Sequence, residues 1–158
     1  MDAPLNRRDL KAYYERFADS LARLDMNGVE LIPQTMAPFP WHFGGQRYQN
    51  LFVSLEDIVE WCELLNLRMC FDVSHSKLAC NHLNIDFYDF TKAIAPLTAH
   101  LHIGDAMGEN GEGLQIGQGE IDFSRLASIL DEYAPCASFI PEIWQGHKND
   151  GQGFWLAL

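Results

Sequence analysis

Residues 67–105 read LRMCFDVSHSKLACNHLNIDFYDFTKAIAPLTAHLHIGD. The stretch begins with LRMCFDV and ends with AHLHIGD, two apolar runs with the composition of β-strands. Between them, after a turn that contains a histidine and a serine, NIDFYDFTKAIAPL has the apolar spacing of a helix. A strand, a helix and a strand in this order predict two parallel strands joined by a right-handed crossover.

The same alternation continues on both sides of this unit. In chain order, we predict a helix over 9–24, a strand over 29–36 that ends near Gln34, a long loop over 37–50, a helix over 54–66, a glycine-rich loop over 108–120, a helix over 121–134, a strand over 137–143 and a last helix that opens at 151–158. The chain therefore contains four strand–helix units in the same order.

Four such units amount to half of an eight-unit TIM barrel. A complete (β/α)8 barrel has about 250 residues, whereas this chain has 158. We therefore predict a single α/β domain over residues 1–158, with parallel strands that correspond to strands five to eight of a barrel. The chain is then a C-terminal half fragment, one of two copies that close a barrel together, or an open doubly wound sheet. The ending FWLAL, in mid-helix and without a cap, favours the fragment.

Charge and hydropathy exclude several classes of partner. Asp and Glu number 22 against 11 Lys and Arg, which gives a formal net charge of -11, so the surface repels nucleic acids. No apolar run approaches the roughly 20 residues of a membrane span, and the N-terminus lacks the apolar stretch of a signal peptide. The four cysteines are scattered without a CxxC pair, which predicts reduced thiols. We expect a cytoplasmic protein without nucleic-acid or membrane partners.

Polar side chains follow the predicted strands where these end. In a parallel sheet the carboxyl ends of the strands meet at one edge, which forms the active face of such folds. The residues placed there are Asp72, His75, His100, His102, Asp105 and Glu142. We expect His100 and Asp105 to contact a substrate, although His100 lies deeper in its strand and is also suited to the core.

Asp72, His102 and Glu142 form a set of oxygen and nitrogen donors without a thiolate. Such a set suits Mn, Mg, Co or Zn and leaves coordination positions for two substrate oxygens. This arrangement polarises a hydroxy-carbonyl compound, which indicates sugar chemistry. Each residue also has a structural alternative: Asp72 as a helix N-cap, His102 as half of a structural histidine pair with His100, and Glu142 as a salt-bridge partner.

Four segments, FDVSH, HLHIGD, IGQGEIDF and PEIW, occur in the order of strands six to eight of a known fold. In this order the chain resembles, over essentially its whole length, the C-terminal half of the xylose isomerase-like barrel superfamily. That superfamily includes sugar phosphate isomerases and epimerases, ketose 3-epimerases and type IV abasic-site endonucleases. The resemblance implies a divalent-metal-dependent isomerase or epimerase that acts on a sugar or sugar phosphate through an enediolate intermediate.

Carried over residue by residue, the resemblance implies that Asp72, His102 and Glu142 hold the metal. Glu142 matches a catalytic base, and His75 matches the histidine that contacts the substrate and takes part in catalysis. Gln34 stands where the family has a glutamate on strand five, so it is a neutral ligand or a substrate contact. An amide cannot accept and return a proton near neutral pH, and a two-base epimerisation therefore loses one partner.

Three readings of the function remain open. The leading one is the isomerase or epimerase, and Gln34 favours isomerisation by one base. The second is a sugar-binding or assembly module whose site has lost catalysis. The third, an abasic-site endonuclease, needs further Asp and His ligands where this chain has Gly111 and Gly113, so its metal cluster is incomplete. The partners expected are a small carbohydrate and either a missing N-terminal half or further copies of the chain, because a half-barrel exposes strand edges.

Overall fold

The computed structural model describes residues 7–39 and 50–158, with side chains from residue 10 onward. The helices are α1 (Arg7–Leu21), α2 (Leu55–Leu65), α3 (Val73–Leu83), α4 (Phe87–Ile94), α5 (Phe123–Tyr133) and α6 (Lys148–Trp155). The strands are β1 (Met69–Asp72), β2 (Thr98–Ile103), β3 (Asp105–Met107), β4 (Gly111–Leu114) and β5 (Ser138–Pro141). Most of the loop predicted over 37–50 lies outside the described residues. None of the described helices is both long enough and apolar enough to cross a membrane.

The main sheet is parallel, and its strand order follows the chain. β2 lies in the middle, with β1 on one side and β5 on the other. On the far side of β1, Gln34 forms a parallel bridge to Cys70, so the segment around Gln34 occupies the place of a fourth strand. The order never reverses, as it does at the switch point of a doubly wound sheet. The architecture is therefore the predicted α/β fold with parallel strands, which corresponds to about half of a TIM barrel.

The strand predicted over 29–36 is shorter than expected. The Cys70 N–H donates to the Pro33 carbonyl at 2.8 Å, and the Thr35 N–H donates to the Cys70 carbonyl at 3.0 Å. On the N-terminal side of Gln34 the ladder ends because Pro33 has no N–H to donate. On the other side the Asp72 N–H donates to Thr35 Oγ1 and not to a backbone carbonyl. Only the part of this segment nearest Gln34 therefore pairs with β1.

Successive side chains of each strand point to opposite faces of the sheet. One face packs against the helices and the other faces the barrel interior. Phe71 and Leu101 share one face of the sheet and are buried against the helices. Asp72 and His102, which are also register partners, point to the opposite face. The apolar core lies behind the sheet and its largest fully buried members are Tyr14, Ile58, Met69, Leu78, Phe90, Ile94 and Leu126. The polar face of the sheet is thus free for a site.

α3 corrects the sequence prediction of a turn after β1. The Asp72 carboxylate caps the helix because its Oδ1 accepts the His75 N–H at 2.8 Å. The helix ends at Asn84, which adopts a left-handed conformation with φ 55°. Serine, histidine and asparagine give this segment a weak apolar pattern, and burial of Leu78 on the core stabilises the helix instead.

The glycine-rich loop predicted over 108–120 also contains regular structure. β3 and β4 form an antiparallel hairpin in which Asp105 pairs with Leu114 and Met107 pairs with Gly111. The short strands and the glycines hid this hairpin from a search for alternating apolar residues. The hairpin contacts α3, and it therefore folds over the carboxyl edge of the main sheet.

β5 is an open edge within the described part of the chain. It pairs with β2 on one side, and its side chains on both faces are exposed. Phe139 is 56% exposed and Ile140 is 46% exposed, unlike the buried residues of β1. Exposed apolar side chains on a strand edge form a surface that favours pairing with further strands.

Burial predicts how the cysteines react with an alkylating reagent. Burial raises the pKa of Cys62 to about 11 and those of Cys70 and Cys80 to about 12, whereas Cys136 is exposed. A raised pKa lowers the thiolate fraction at pH 8, and the thiolate is the reactive form. We expect one thiol per chain to react in the folded protein and four in denaturant. Cys136→Ser is the control, and fast labelling of the folded Cys136→Ser variant would contradict the packing described here.

Candidate metal and substrate site

The three predicted metal ligands come together at the carboxyl edge of the sheet. Asp72 ends β1 and His102 is its register partner in β2. The Glu142 N–H donates to the Ile103 carbonyl at 2.8 Å, which extends the parallel pairing one residue past β5. One ligand atom from each of the three side chains lies within 4.8 Å of the other two. Neighbouring parallel strands therefore place an acid, an imidazole and an acid around one point.

The Nδ1 atom of His102 lacks a hydrogen bond although two carboxylates surround it. It lies 2.6 Å from Glu142 Oε2 and 3.7 Å from Asp72 Oδ2, and neither contact has hydrogen-bond geometry. Among the described residues it is the one buried side-chain nitrogen or oxygen without a hydrogen-bond partner. A divalent cation between the carboxylates would satisfy this nitrogen, so these residues fit a metal of the Mn, Mg, Co or Zn type.

The two carboxylates also change the pKa of His102. The contact with the Asp72 carboxylate raises the pKa of His102, burial lowers it, and the Glu142 carboxylate raises it again. The net effect is an increase, so the imidazole holds a proton more strongly than a free histidine does. A cation that binds Nδ1 must displace that proton.

The two carboxylate oxygens of Asp72 have separate roles. Oδ1 caps α3. Oδ2 faces His102 and Glu142, which together with Asp72 form the ligand cluster, and it accepts a hydrogen bond from Gln34 Nε2 at 2.7 Å. The Asp72 N–H donates to Thr35 Oγ1 at 2.9 Å, which fixes the backbone at the same point. Asp72 is thus both the helix N-cap and a member of the site, and the two interpretations of its sequence position are compatible.

Gln34, which the resemblance matches to a strand-five glutamate, lies beside Asp72 and His75. Its amide nitrogen donates to Asp72 and lies 3.3 Å from Nδ1 of His75. Toward Asp72 the amide group therefore presents a donor, and not a negatively charged oxygen. The structure thus brings Gln34 next to Asp72 and His75, where an amide cannot act as a general base.

His75 lies between Asp72 and a carboxylate that sequence reasoning missed. Its Nδ1 is 3.1 Å from Asp72 Oδ2, and its Nε2 is 3.4 Å from Glu112 Oε2. Burial lowers the pKa of His75, but Glu112 and the other carboxylates raise it more, to about 8. A cationic imidazole is therefore favoured at neutral pH, with N–H donors directed at acidic groups.

Two predicted substrate contacts lie outside the cluster. His100 points to the same face as His102, one pleat deeper, and its Nδ1 is 2.7 Å from Ser138 Oγ. The placement of Asp105 corrects our prediction, because this side chain is fully buried. Its oxygens accept hydrogen bonds from the backbone N–H groups of Ala106, Gly117, Gly119 and Ile121 at 2.8, 3.0, 2.8 and 3.2 Å. Asp105 holds the glycine-rich loop in place and is not available to a substrate in this arrangement.

A cleft of about 510 Å³ opens in front of the ligand cluster. Its lining includes three predicted site residues, Asp72, His75 and Glu142, and eight others, which are Ser74, Glu112, Gly113, Ile143, Trp144, Gln145, His147 and Lys148. Glu112 is the one among these eight that contacts a predicted site residue by an ion pair. The sequence signal for Glu112 was a carboxylate between two glycines, in a loop predicted at the mouth of the barrel. The sequence alone does not show that this side chain points into the cleft.

Comparison with known proteins is consistent with this architecture. The solved structures similar to this chain include a D-tagatose 3-epimerase-like protein, with a TM-score of 0.66 and 19% identity over 91% of this chain and 51% of that one. An L-ribulose 3-epimerase gives a TM-score of 0.64 and 16% identity over 91% of this chain and 44% of that one. A D-allulose 3-epimerase from Methylomonas sp. in complex with D-allulose gives 0.58 and 15% over 98% of this chain and 51% of that one.

This chain spans about half the length of these structures. No curated protein matches it. At such low identity the structural likeness shows the fold alone, whereas a family model gives the assignment. The model described as "Xylose isomerase-like TIM barrel" matches residues 2–155, nearly the whole chain. The chain therefore belongs to the xylose isomerase-like TIM barrel family.

Proposed function

We propose that this chain supplies the metal-binding half of a sugar isomerase or epimerase that acts through an enediolate intermediate. The observation on which the proposal depends is the Nδ1 of His102, which makes no hydrogen bond although it lies between the carboxylates of Asp72 and Glu142. The similar solved structures are sugar 3-epimerases, which supports a small carbohydrate, free or phosphorylated, as the substrate.

The two carboxylates of the ligand cluster have different roles, because Asp72 is fixed in place and Glu142 is accessible from the cleft. A bound divalent cation would polarise the hydroxy-carbonyl group of the substrate and make the neighbouring C–H more acidic. Asp72 is buried and fixed by the α3 cap, so it holds its position. The Glu142 side chain is 55% exposed and lines the cleft. Glu142 is therefore the carboxylate placed to accept the proton from the substrate carbon.

His75 orients the substrate in this proposal. The ring is held on its Nδ1 side by Asp72 and the Thr35 carbonyl, which leaves its Nε2 edge toward the cleft and Glu112. A cationic imidazole in this position donates a hydrogen bond to a substrate oxygen. His75 thus favours one orientation of a polyhydroxylated ligand.

Gln34 supports a second candidate function, a sugar-binding module without turnover. Its amide takes the place of one of two bases and forms a 2.7 Å hydrogen bond to Asp72. A site with a metal and a hydroxyl-binding cleft but without a working base would still bind a carbohydrate. The two candidates differ in one observable property, which is whether a substrate C–H exchanges with solvent.

In the same proposal, further strands complete the barrel. Phe139 and Ile140 of β5 are exposed, and the described part of the chain provides no partner for the free edge of that strand. A second half-barrel that pairs with β5 would bury these side chains. We expect the full-length protein to contain such a half or to associate with another copy, and sedimentation measures which.

The test is turnover in deuterium oxide. The full-length protein, supplied with Mn²⁺ or Co²⁺, is incubated with D-tagatose, L-ribulose, D-allulose and phosphorylated ketoses, and both conversion and deuterium incorporation are measured. The proposal predicts conversion of at least one sugar to its isomer or epimer with deuterium at the reacting carbon. Saturable binding without deuterium incorporation supports the binding module. If the protein shows neither binding nor conversion of any of these sugars, both candidates are contradicted.

A further inference from the structure

Gln34 is an amide and Asp72 is buried and caps α3, so Glu142 is the carboxylate of the ligand cluster placed to take a proton from a substrate carbon. The cleft nevertheless contains another carboxylate, that of Glu112 on β4. Glu112 lies on the hairpin over the carboxyl edge of the sheet, and not on a strand of the main sheet. The Glu112 carboxylate therefore reaches the cleft from the hairpin, whereas the ligand cluster reaches it from the main sheet.

The backbone beside Glu112 is fixed on two sides. The Gly113 N–H donates to Ser74 Oγ in the first turn of α3 at 2.8 Å. The Gly113 carbonyl accepts the Trp144 N–H at 2.7 Å, which ties the hairpin to the segment after β5. Gly113 has φ +63°, and a Cβ atom there would lie 3.2 Å from the Trp144 nitrogen. Glu112 is thus held by the same elements that carry His75 and Glu142.

Among the carboxylates on the hairpin turn and just after the hairpin, Glu112 faces the cleft, whereas Glu109 and Glu120 do not line it. Its carboxylate is 3.4 Å from His75 Nε2. Glu109, on the turn of the same hairpin, pairs with His82 on the outer surface, and Glu120 contacts Lys77. Glu112 is therefore the hairpin carboxylate that a ligand in the cleft meets.

We propose that Glu112 transfers a proton between two neighbouring substrate oxygens, which makes this site an aldose–ketose isomerase in place of a two-base epimerase. The proposal rests on the proposed function above. An isomerisation needs one base at carbon and one group that moves a proton between oxygens, whereas an epimerisation needs two bases on opposite faces of one carbon. This site matches the requirement for isomerisation, because Glu142 is the base at carbon, Glu112 is the group at oxygen, and position 34 has an amide and not a second base.

The steps balance without an oxidant or a further reactant. Glu142 takes the proton of the C–H beside the carbonyl, the electron pair of that bond forms a C=C bond, and the carbonyl π pair moves to oxygen. Glu112 accepts the proton of the neighbouring hydroxyl and delivers it to this oxygen. The oxygen that lost its proton then forms the new carbonyl, and Glu142 returns its proton to the former carbonyl carbon. One hydrogen has moved between carbons and one between oxygens.

The test compares Glu112→Gln with Glu109→Gln, the matched carboxylate of the same hairpin outside the cleft. The full-length protein with Mn²⁺ is assayed on the sugar of the panel above that it converts fastest. We expect Glu112→Gln to lower conversion about 100-fold, the lower range for loss of an acid–base group, and Glu109→Gln to leave conversion within twofold. Exchange of the substrate C–H with deuterium should fall by less than threefold in Glu112→Gln, because Glu142 is intact. Glu112→Asp should recover part of the conversion.

Each outcome either supports or overturns this proposal. If exchange and conversion fall equally in Glu112→Gln, or neither falls, Glu112 does not act at oxygen, although the proposed function stands. If the wild-type protein forms an epimer and no aldose, the isomerase assignment fails and the proposed function again stands. If the wild-type protein neither converts nor exchanges any sugar, the proposed function fails and this proposal fails with it.

Discussion

Replacing Asp105 by alanine is expected to lower the free energy of unfolding by about 3–5 kcal/mol, because two buried N–H groups lose their acceptor at a cost of about 1–3 kcal/mol each. The Asp105 carboxylate accepts hydrogen bonds from four backbone N–H groups, those of Ala106, Gly117, Gly119 and Ile121. The Asp105 side chain is fully buried, and so are two of the donor residues, Ala106 and Ile121, so water does not replace the acceptor for these two N–H groups. Urea unfolding followed by circular dichroism measures the change.

Two variants make this result specific. Asp105→Asn keeps one acceptor oxygen in the same volume, and we expect it to lose about half as much stability as Asp105→Ala. Asp131→Ala removes an exposed carboxylate from α5 and should change stability by less than about 0.5 kcal/mol. If Asp105→Ala unfolds at the same urea concentration as Asp131→Ala, the loop does not depend on this carboxylate.

The second large effect is expected at Glu142, where amide replacement should lower turnover about 10³-fold, within the range for loss of a general base. Glu142→Gln keeps an oxygen next to His102 and the length of the side chain but cannot accept a proton from carbon. Exchange of the substrate C–H with deuterium should fall by the same factor as conversion. This joint loss distinguishes Glu142 from Glu112.

Glu132→Gln is a suitable control for that measurement, because Glu132 is an exposed carboxylate near the end of α5, on a helix that contributes no residue to the cleft. It should retain wild-type turnover. If Glu142→Gln retains more than a tenth of wild-type turnover, the proton is taken by a different group, and the mechanism proposed for this site is wrong.

The ligand cluster was predictable from sequence because parallel strands bring their carboxyl ends to one edge. Asp72 and His102 are register partners, and Glu142 follows the next strand, so strand assignment alone brought the three together. The apolar runs of these strands are long enough to recognise without knowledge of tertiary structure. The N-cap alternative for Asp72 was confirmed, because Oδ1 accepts the His75 N–H, and the cap leaves Oδ2 facing His102 and Glu142.

Asp105, which sequence reasoning placed wrongly, and Glu112, which it missed, both lie on the hairpin of β3 and β4. Asp105 follows β2 as a site residue would, but the chain turns there and its carboxylate points under the loop. Glu112 reaches the cleft because the hairpin folds back and Gly113 binds Ser74 and Trp144. Both orientations depend on contacts between residues more than ten positions apart, and local periodicity carries no information about such contacts.

The central claim is that Asp72, His102 and Glu142 bind one divalent cation, and a Mn²⁺ titration followed by electron paramagnetic resonance tests it most directly. We expect one ion per chain in the wild-type protein and an affinity at least tenfold weaker in His102→Ala. His100→Ala, which removes an imidazole from the same face of the same strand, should bind Mn²⁺ as tightly as the wild type. Absence of Mn²⁺ binding, or equal affinity of the His102→Ala and His100→Ala variants, would contradict the account.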